Sequence, residues 1–335
     1  MNRNVVVDLM RFLGIALIIL AHVEPPNIIF QARTFDVPMM VFVSGMAYYC
    51  SGKSQVNLVH YAISRFKRLV LPVWIFFIFF FSIIFIFKIT QFQNLLTFKS
   101  IVSTFMLSGF SYVWIIKIFL LVALLSPSLV FIANRVNGYL LTILSLIGLF
   151  LSLIISKIDY YHHGSLFFHL ISDLILPSLS YGIVFMIGYR TLSFTKSELW
   201  FCFMVFLMVF LAYVGFNYLQ DMKLYGPQVY KYPATLYYIS YGMIMSFSLF
   251  IFLNTFQPLN LNKLIAFVSS NTIWIYLWHI PIVEYFKRYN TDINFIVKYM
   301  VAFGLAIVLS NIQYRLIMRI VKNNRKSFWV SVFTG

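Results

Sequence analysis

The chain has 335 residues, of which 61% are hydrophobic and only 10% charged, with 25 Lys and Arg against 9 Asp and Glu. That is too little charge to solvate a water-soluble globule of this size, which excludes soluble dehydrogenases, kinases and nucleic-acid binders and predicts an all-α polytopic membrane protein. The formal charge of +16 is spread over short segments between apolar runs, as topology signals are, so the expected partner is the lipid bilayer and no nucleic acid.

Apolar runs of about 17 to 25 residues predict membrane-crossing helices. The first covers 5–22. It has the length of a secretory signal, but Asp8, Arg11 and His22 interrupt it and no small-x-small cleavage site follows. Arg11 and His22 return to within about 20° of one helix face and stand about 16 Å apart along the axis. Two readings stand for this stripe. Either Arg11 snorkels to inner headgroups, paired with Asp8, and His22 is an interfacial residue, or the face lines a cavity that holds an anion at Arg11 and reacts at His22. A guanidinium suits phosphate, and a neutral imidazole suits general-base work near pH 7.

The next run, 37–50, is marginal in length. It counts as a span because without it the basic residues Arg65, Lys67 and Arg68 would face outward. Asp36 opens it on the side where His22 closes the first span. It either caps the helix, with Pro38 in the first turn, or brings its carboxylate to the imidazole and orients it. Gly45, next to Ser44, reads as a close helix contact before a ligand contact. Further spans are expected at 69–89, 112–133, 139–157, 174–190, 199–217, 234–256, 264–286 and 294–321, making ten with both termini inside. His60 falls in the basic inner loop as a solvated residue. With this topology the inner segments carry more Lys and Arg than the outer ones. No repeat, linker or soluble appendage is evident, so residues 1–335 are read as a single transmembrane domain. Cys50 and Cys202 sit in apolar surroundings and read as packing residues.

The span at 112–133 opens with Tyr112-Val113-Trp114-Ile115-Ile116-Lys117, where Trp114 fits an interfacial belt and Lys117 can snorkel. Asp159, His162, His163, His169 and Asp173 cluster in an outer segment without standard metal spacing, and no metal is expected. Before the eighth span, Gln228, Lys231 and Tyr232 lie in the run Tyr225–Pro233. Tyrosines with a Lys and an amide suit carbohydrate hydroxyls, although tyrosine is also an ordinary interfacial residue. His279, deep in 264–286, shares a helix face with Tyr276. A lone buried His is more often structural than catalytic.

Taken in order, these stretches resemble the acyltransferase-3 family of bacterial integral-membrane O-acyltransferases, over nearly the whole chain. Arg11 and His22 meet its first-span Arg-(ten residues)-His pattern. Phe42-Val43-Ser44-Gly45 is similar to its aromatic Ser-Gly segment, and Arg65 through Pro72 to its basic run into the third span. Trp114 through Leu121 and Ile275-Tyr276-Leu277-Trp278-His279 are similar to two further signatures. Fucose-acetylase-like relatives carry His where Asp36 stands, which removes a second histidine and leaves Asp36 as a partner for His22.

The resemblance implies a multi-pass protein of the bacterial cytoplasmic membrane. It would use a cytoplasmic acyl-CoA donor, usually acetyl-CoA, and a carbohydrate acceptor on the outer side. It places catalysis at His22, with Asp36, Tyr276 and His279 around it, and the donor near Arg11, Ser44, Trp114 and Lys117. The acceptor would lie near Gln228, Lys231 and Tyr232. Oxyanion donors would come from Tyr276, Ser44 or Trp114, and His22 acts as base in preference to transient nucleophile. A flippase or small-molecule transporter is the reading of another class, since intramembrane Arg and His also mark substrate pathways.

Overall fold

Apolar runs with few Gly or Pro breaks leave the backbone one way to satisfy its polar groups in lipid, as helices. The computed structural model describes residues 4–52, 58–108, 112–161, 170–256, 262–322, 324 and 327–334, and every strand-free segment of regular structure among them is helical. In chain order the helices are α1 (Val5–His22), α2 (Asn27–Ala32), α3 (Asp36–Cys50), α4 (Leu58–Ile86), α5 (Phe98–Phe105), α6 (Trp114–Ala133) and α7 (Gly138–Tyr161). They continue as α8 (Leu176–Thr191), α9 (Lys196–Asp221), α10 (Leu236–Phe256), α11 (Lys263–Ser270), α12 (Thr272–Tyr289), α13 (Phe295–Ile320) and α14 (Phe328–Phe333). Of the outer-segment candidates, His162, His163 and His169 lie outside the described residues, and Asp159, near the end of α7, outside the described side chains.

Among the described residues, eight helices are long and apolar enough to cross a membrane: α1, α4, α6, α7, α9, α10, α13, and α8 with the π-helical turn Ile171–Ile175 before it. The chain is thus an all-α, polytopic membrane protein. The other two expected spans are helical but differ in kind. α3 has 15 residues, about 22 Å at 1.5 Å per residue, short of a hydrocarbon layer of about 30 Å. The run 264–286 breaks at Asn271 into α11 and α12. Here Asn271 leaves helical geometry (φ −117°, ψ 26°) while its N–H still donates to the Phe267 carbonyl (3.1 Å), and Ser270 Oγ and Asn271 Nδ2 add side-chain bonds to the carbonyls of Ala266 (2.9 Å) and Phe267 (2.8 Å). α4 starts well before the expected 69. His60, Arg65, Lys67 and Arg68 therefore lie on helical turns, because 58–71 holds no Gly or Pro to end them.

The chain divides into two units. The first is the described part of Met1–Gly14, Pro26–Val56 and Leu124–Leu261. At its centre α3 crosses α8 with the two backbones in direct contact. A Cβ at Gly45 would come within 2.3 Å of the Phe185 carbonyl oxygen, and one at Gly188 within 2.1 Å of that of Phe42. Both glycines serve close packing, as expected of Gly45. Gly188→Ala pushes backbone against backbone, and a cost of about 1–3 kcal/mol is expected. It reads out as a lower unfolding temperature in detergent, whereas Gly215→Ala, with open space around it, leaves that temperature unchanged. Nearby, Ser180 Oγ donates to the Ala234 carbonyl (2.8 Å) and lies 3.0 Å from Ser152 Oγ, a buried polar tie between helices.

The second unit is the described part of Ile15–Pro25, Asn57–Ala123 and Asn262–Gly335. Both indoles of α12 fasten α14 and α13. Trp274 Nε1 donates to the Val332 carbonyl (2.8 Å), while Trp278 Nε1 donates to Gln313 Oε1 (2.8 Å), whose Nε2 donates to the Phe333 carbonyl (2.7 Å). Trp278 also meets Phe76 of α4 edge-on at 5.7 Å. These contacts fix α12, the helix that carries the buried Tyr276, His279 and Glu284.

Candidate active site

α1 ends at His22 with Glu24 in the left-handed region just beyond it (φ 56°). In the second unit the His22 ring lies 4.7 Å from that of Tyr112 and 5.1 Å from that of His279, and Tyr112 is 5.7 Å from His279. Tyr276 adds a fourth ring, 4.9 Å from His279. The spacing of α12 brings this about. Tyr276, His279 and Lys287 return to one side of the helix, with Glu284 one turn before Lys287 and Arg288. Two of the sequence candidates, Tyr276 and His279, are thereby gathered around His22.

His279 is fully buried, and its Nδ1 contacts the Tyr276 carbonyl. A carbonyl only accepts, so this contact assigns the ring proton to Nδ1 and leaves Nε2 with a lone pair. His279 Nε2 has no hydrogen-bond partner among the described residues, and a buried acceptor of this kind calls for a donor. The Tyr276 hydroxyl donates to the Tyr112 carbonyl. Of the two hydroxyls considered as oxyanion donors, that of Tyr276 is thus engaged there, and that of Ser44 in the first unit donates to the Val41 carbonyl (2.6 Å).

Sequence reasoning passed over the group that holds this cluster. Tyr112 donates to Glu284 Oε1 (2.6 Å) and accepts from Lys287 Nζ (3.1 Å). Glu284, 5% exposed, is also paired with Arg288 and lies 3.9 Å from Lys287. The signal was a carboxylate with two cations one turn further on, at the end of an apolar run where lone charges are costly. Trp114 and Lys117 occupy the first turn of α6, directly after Tyr112, and both are half-buried.

The remaining candidates lie in the first unit. Arg11, in the part of α1 that belongs to this unit, is half-buried and within electrostatic reach of Cys50 at the end of α3, as is the buried Asp8. Asp36 is 1% exposed. Its Oδ2 takes the Arg33 guanidinium at 2.7 Å and its Oδ1 the Val37 N–H at 2.8 Å, so it both opens α3 and closes a buried ion pair. Gln228 clips its loop to the segment before α3. Its N–H donates to Gln31 Oε1 (3.1 Å), and its own Oε1 lies 3.4 Å from the Thr34 hydroxyl. Lys231 is 6% exposed, and burial pushes its ammonium down in pKa against the opposing pull of Asp36. Beside it Tyr232 stands open, 60% exposed. Behind this loop Tyr230, Tyr213 and Phe210 pack on Tyr237 at 4.8–5.3 Å. Among the described residues no three His, Cys, Asp or Glu side chains are placed to hold a metal ion.

The family profile for the acyltransferase domain Acyl_transf_3 matches residues 4–315. No curated protein and no solved structure was found to match the chain.

Proposed function

From the chain's membership of the Acyl_transf_3 family of membrane acyltransferases, we propose that it is an integral-membrane O-acetyltransferase. It moves an acetyl group from cytoplasmic acetyl-CoA to a hydroxyl of a cell-surface or capsular polysaccharide, or of its lipid-linked precursor. The observation that carries the reading is the ring cluster of His22, Tyr112, His279 and Tyr276 at the end of α1. Such a cluster sets a partly exposed imidazole against buried rings and a buried second imidazole, and can present a ring nitrogen to a hydroxyl. On this reading the protein sits in the bacterial cytoplasmic membrane with both termini in the cytoplasm, as the basic residues favour.

The reaction is a single displacement. His22 takes the proton of the acceptor hydroxyl as its oxygen attacks the thioester carbonyl. The carbon–sulfur bond breaks, and the CoA thiolate leaves with the proton held by the imidazolium. Arg11, about three turns earlier on α1, holds a donor phosphate as a guanidinium does best. His279 Nε2 accepts a hydrogen bond from a ligand donor, and its contact with Tyr276 keeps that nitrogen unprotonated. Trp114 and Lys117, on the turn after Tyr112, contribute at the donor arm.

Incorporation of radiolabelled acetyl from acetyl-CoA into surface glycan is expected in membranes holding this protein and not in membranes lacking it. Arg11→Ala is expected to raise the CoA requirement by about tenfold, the equivalent of one charge-assisted contact to phosphate. Glycan export that changes while no label is incorporated would sink the acyltransfer reading and favour transport.

A further inference from the structure

Because α4 starts at Leu58 and not at the expected 69, the basic stretch before the apolar run is helical. His60, Ser64, Lys67 and Arg68 then fall at i, i+4, i+7 and i+8 and share one helix face. α14, of the same unit, packs on α4, and a cavity of about 420 Å³ lies between them, within the range of about 300–1,000 Å³ usual for small-ligand sites. His60, Lys67 and Arg68 line it, with the hydroxyls of Ser64, Ser331 and Thr334.

Among the described residues no acidic side chain lines this cavity. The second unit has three acidic residues, Glu24, Glu284 and Asp292, and they lie elsewhere. Trp274, which binds α14 at the Val332 carbonyl (2.8 Å), stands near the start of α12, and Glu284 follows ten residues, about 15 Å, further along that helix. Glu24 lies 3.9 Å from Lys298, and Asp292 accepts from the Thr291 hydroxyl (3.2 Å). Lys67 Nζ is held beside the cavity, 5.6 Å over the Phe328 ring. His60 and Arg68 are engaged within the protein as well. A guanidinium has five N–H donors, so an internal contact and a ligand are compatible. The Ser331 and Thr334 hydroxyls donate to the carbonyls of Phe328 and Val330 (both 2.7 Å), and what they offer a ligand is lone pairs. Cationic donors beside neutral acceptors suit a phosphate whose substituent carries hydroxyl groups.

The surroundings say what else that ligand has. Leu58, Val59 and Trp329, next in sequence to lining residues, are exposed, and the apolar run of α4 begins directly after Arg68. Ile78 and Phe79, eleven residues beyond Lys67 and Arg68, return to within about 20° of the same face, about 16 Å further along the axis. Both are exposed. The face that lines the cavity thus continues as an open apolar track. Cations, exposed aromatic rings and an apolar track in succession make up the level of lipid headgroups and the chains beneath them.

We propose that the cavity between α4 and α14 binds the headgroup of an anionic phospholipid, with the acyl chains laid along the track of Ile78 and Phe79. Lys67 and Arg68 meet the phosphate, and Ser331 and Thr334 accept from headgroup hydroxyls. The site does not depend on the acyltransferase reading.

The test is binding to the full-length protein, purified in detergent and stripped of lipid, at constant ionic strength. The probes are phosphatidylglycerol, phosphatidylcholine with the same chains, coenzyme A and inorganic phosphate. Phosphatidylglycerol is expected to bind at one saturable site, counted by native mass spectrometry, and to raise the unfolding temperature. Phosphatidylcholine does neither, and coenzyme A and phosphate do not displace the bound lipid. Lys67→Gln is expected to weaken binding about tenfold, the loss of one charge-assisted hydrogen bond, and Arg68→Gln by a similar factor. Both side chains are exposed, so neither change disturbs the packed interior. Lys67→Arg retains the lipid. Lys322→Gln, an exposed lysine of the same unit outside the cavity lining, also retains it, which separates a built site from diffuse attraction to basic residues. Equal binding of phosphatidylcholine, or unchanged affinity in both Lys67→Gln and Arg68→Gln, overturns the proposal. Displacement of the lipid by coenzyme A or by inorganic phosphate also overturns it and gives the cavity to a soluble phosphate ligand.

Discussion

His22→Ala is expected to lower acetyl transfer by about 10²–10⁴-fold, the range that a positioned general base contributes. The fold should be kept. His22 is the last residue of α1 and partly exposed, so its truncation removes no large part of the packed interior. Its ring neighbours Tyr112 and His279 are themselves fixed, by Glu284 and by the Tyr276 carbonyl. Matched amounts of protein with unchanged elution and unfolding temperature, together with lost incorporation of label, would place the defect in the chemistry. His22→Gln keeps a polar group of similar reach but no basic nitrogen, and is expected to be as inactive as His22→Ala. Substantial activity in either variant would end the role of His22 as base. Activity lost in His279→Ala instead would move that role to the neighbouring imidazole, whose Nε2 is the buried lone pair of the cluster.

How much of this could be read before the structure depended on distance along the chain. Arg11 and His22 stood out because ionisable residues inside an apolar run are expensive, and their shared face followed from helix geometry alone. The close crossing at Gly45 was legible for a similar reason, since a glycine in mid-helix has few purposes. The short reach of α3 was visible in its length, yet the charge pattern argued for a full span. The break at Asn271 was written in Ser269-Ser270-Asn271, but the apolar residues on both sides hid it. Asp36 offered two roles, cap of α3 and partner of His22, and its pairing with Arg33 at i,i+3 was a nearer contact than either reading considered. What no periodicity could give is the bond from Tyr112 to Glu284, made across 172 residues. Periodicity describes one element at a time, and a contact between two elements is decided by how each packs.

Glu284→Ala is expected to be the most destabilising single change at the candidate site. Glu284 accepts from the Tyr112 hydroxyl at 2.6 Å, is paired with Arg288, and sits 3.9 Å from Lys287 Nζ. Removing the carboxylate leaves two cations beside a buried hydroxyl with no acceptor. Breaking one partner of a buried charge network costs about 3–5 kcal/mol, and the partial exposure of Lys287 and Arg288 puts this case toward the lower end. A large fall in unfolding temperature is the expected result, with transfer lost alongside the fold. Tyr112→Phe separates the two effects. Its ring can still lie against His22 at the 4.7 Å of the native pair, while Glu284 keeps both cations. Stability should therefore fall by only about 1–3 kcal/mol, the cost of one buried hydrogen bond broken on one side. If Tyr112 acts by positioning His22, transfer in Tyr112→Phe drops mainly in kcat with KM for acetyl-CoA little changed, because an interaction made only in the transition state lowers kcat and kcat/KM together. Native kcat in a folded Tyr112→Phe would reduce the Glu284 network to a structural clamp on α12.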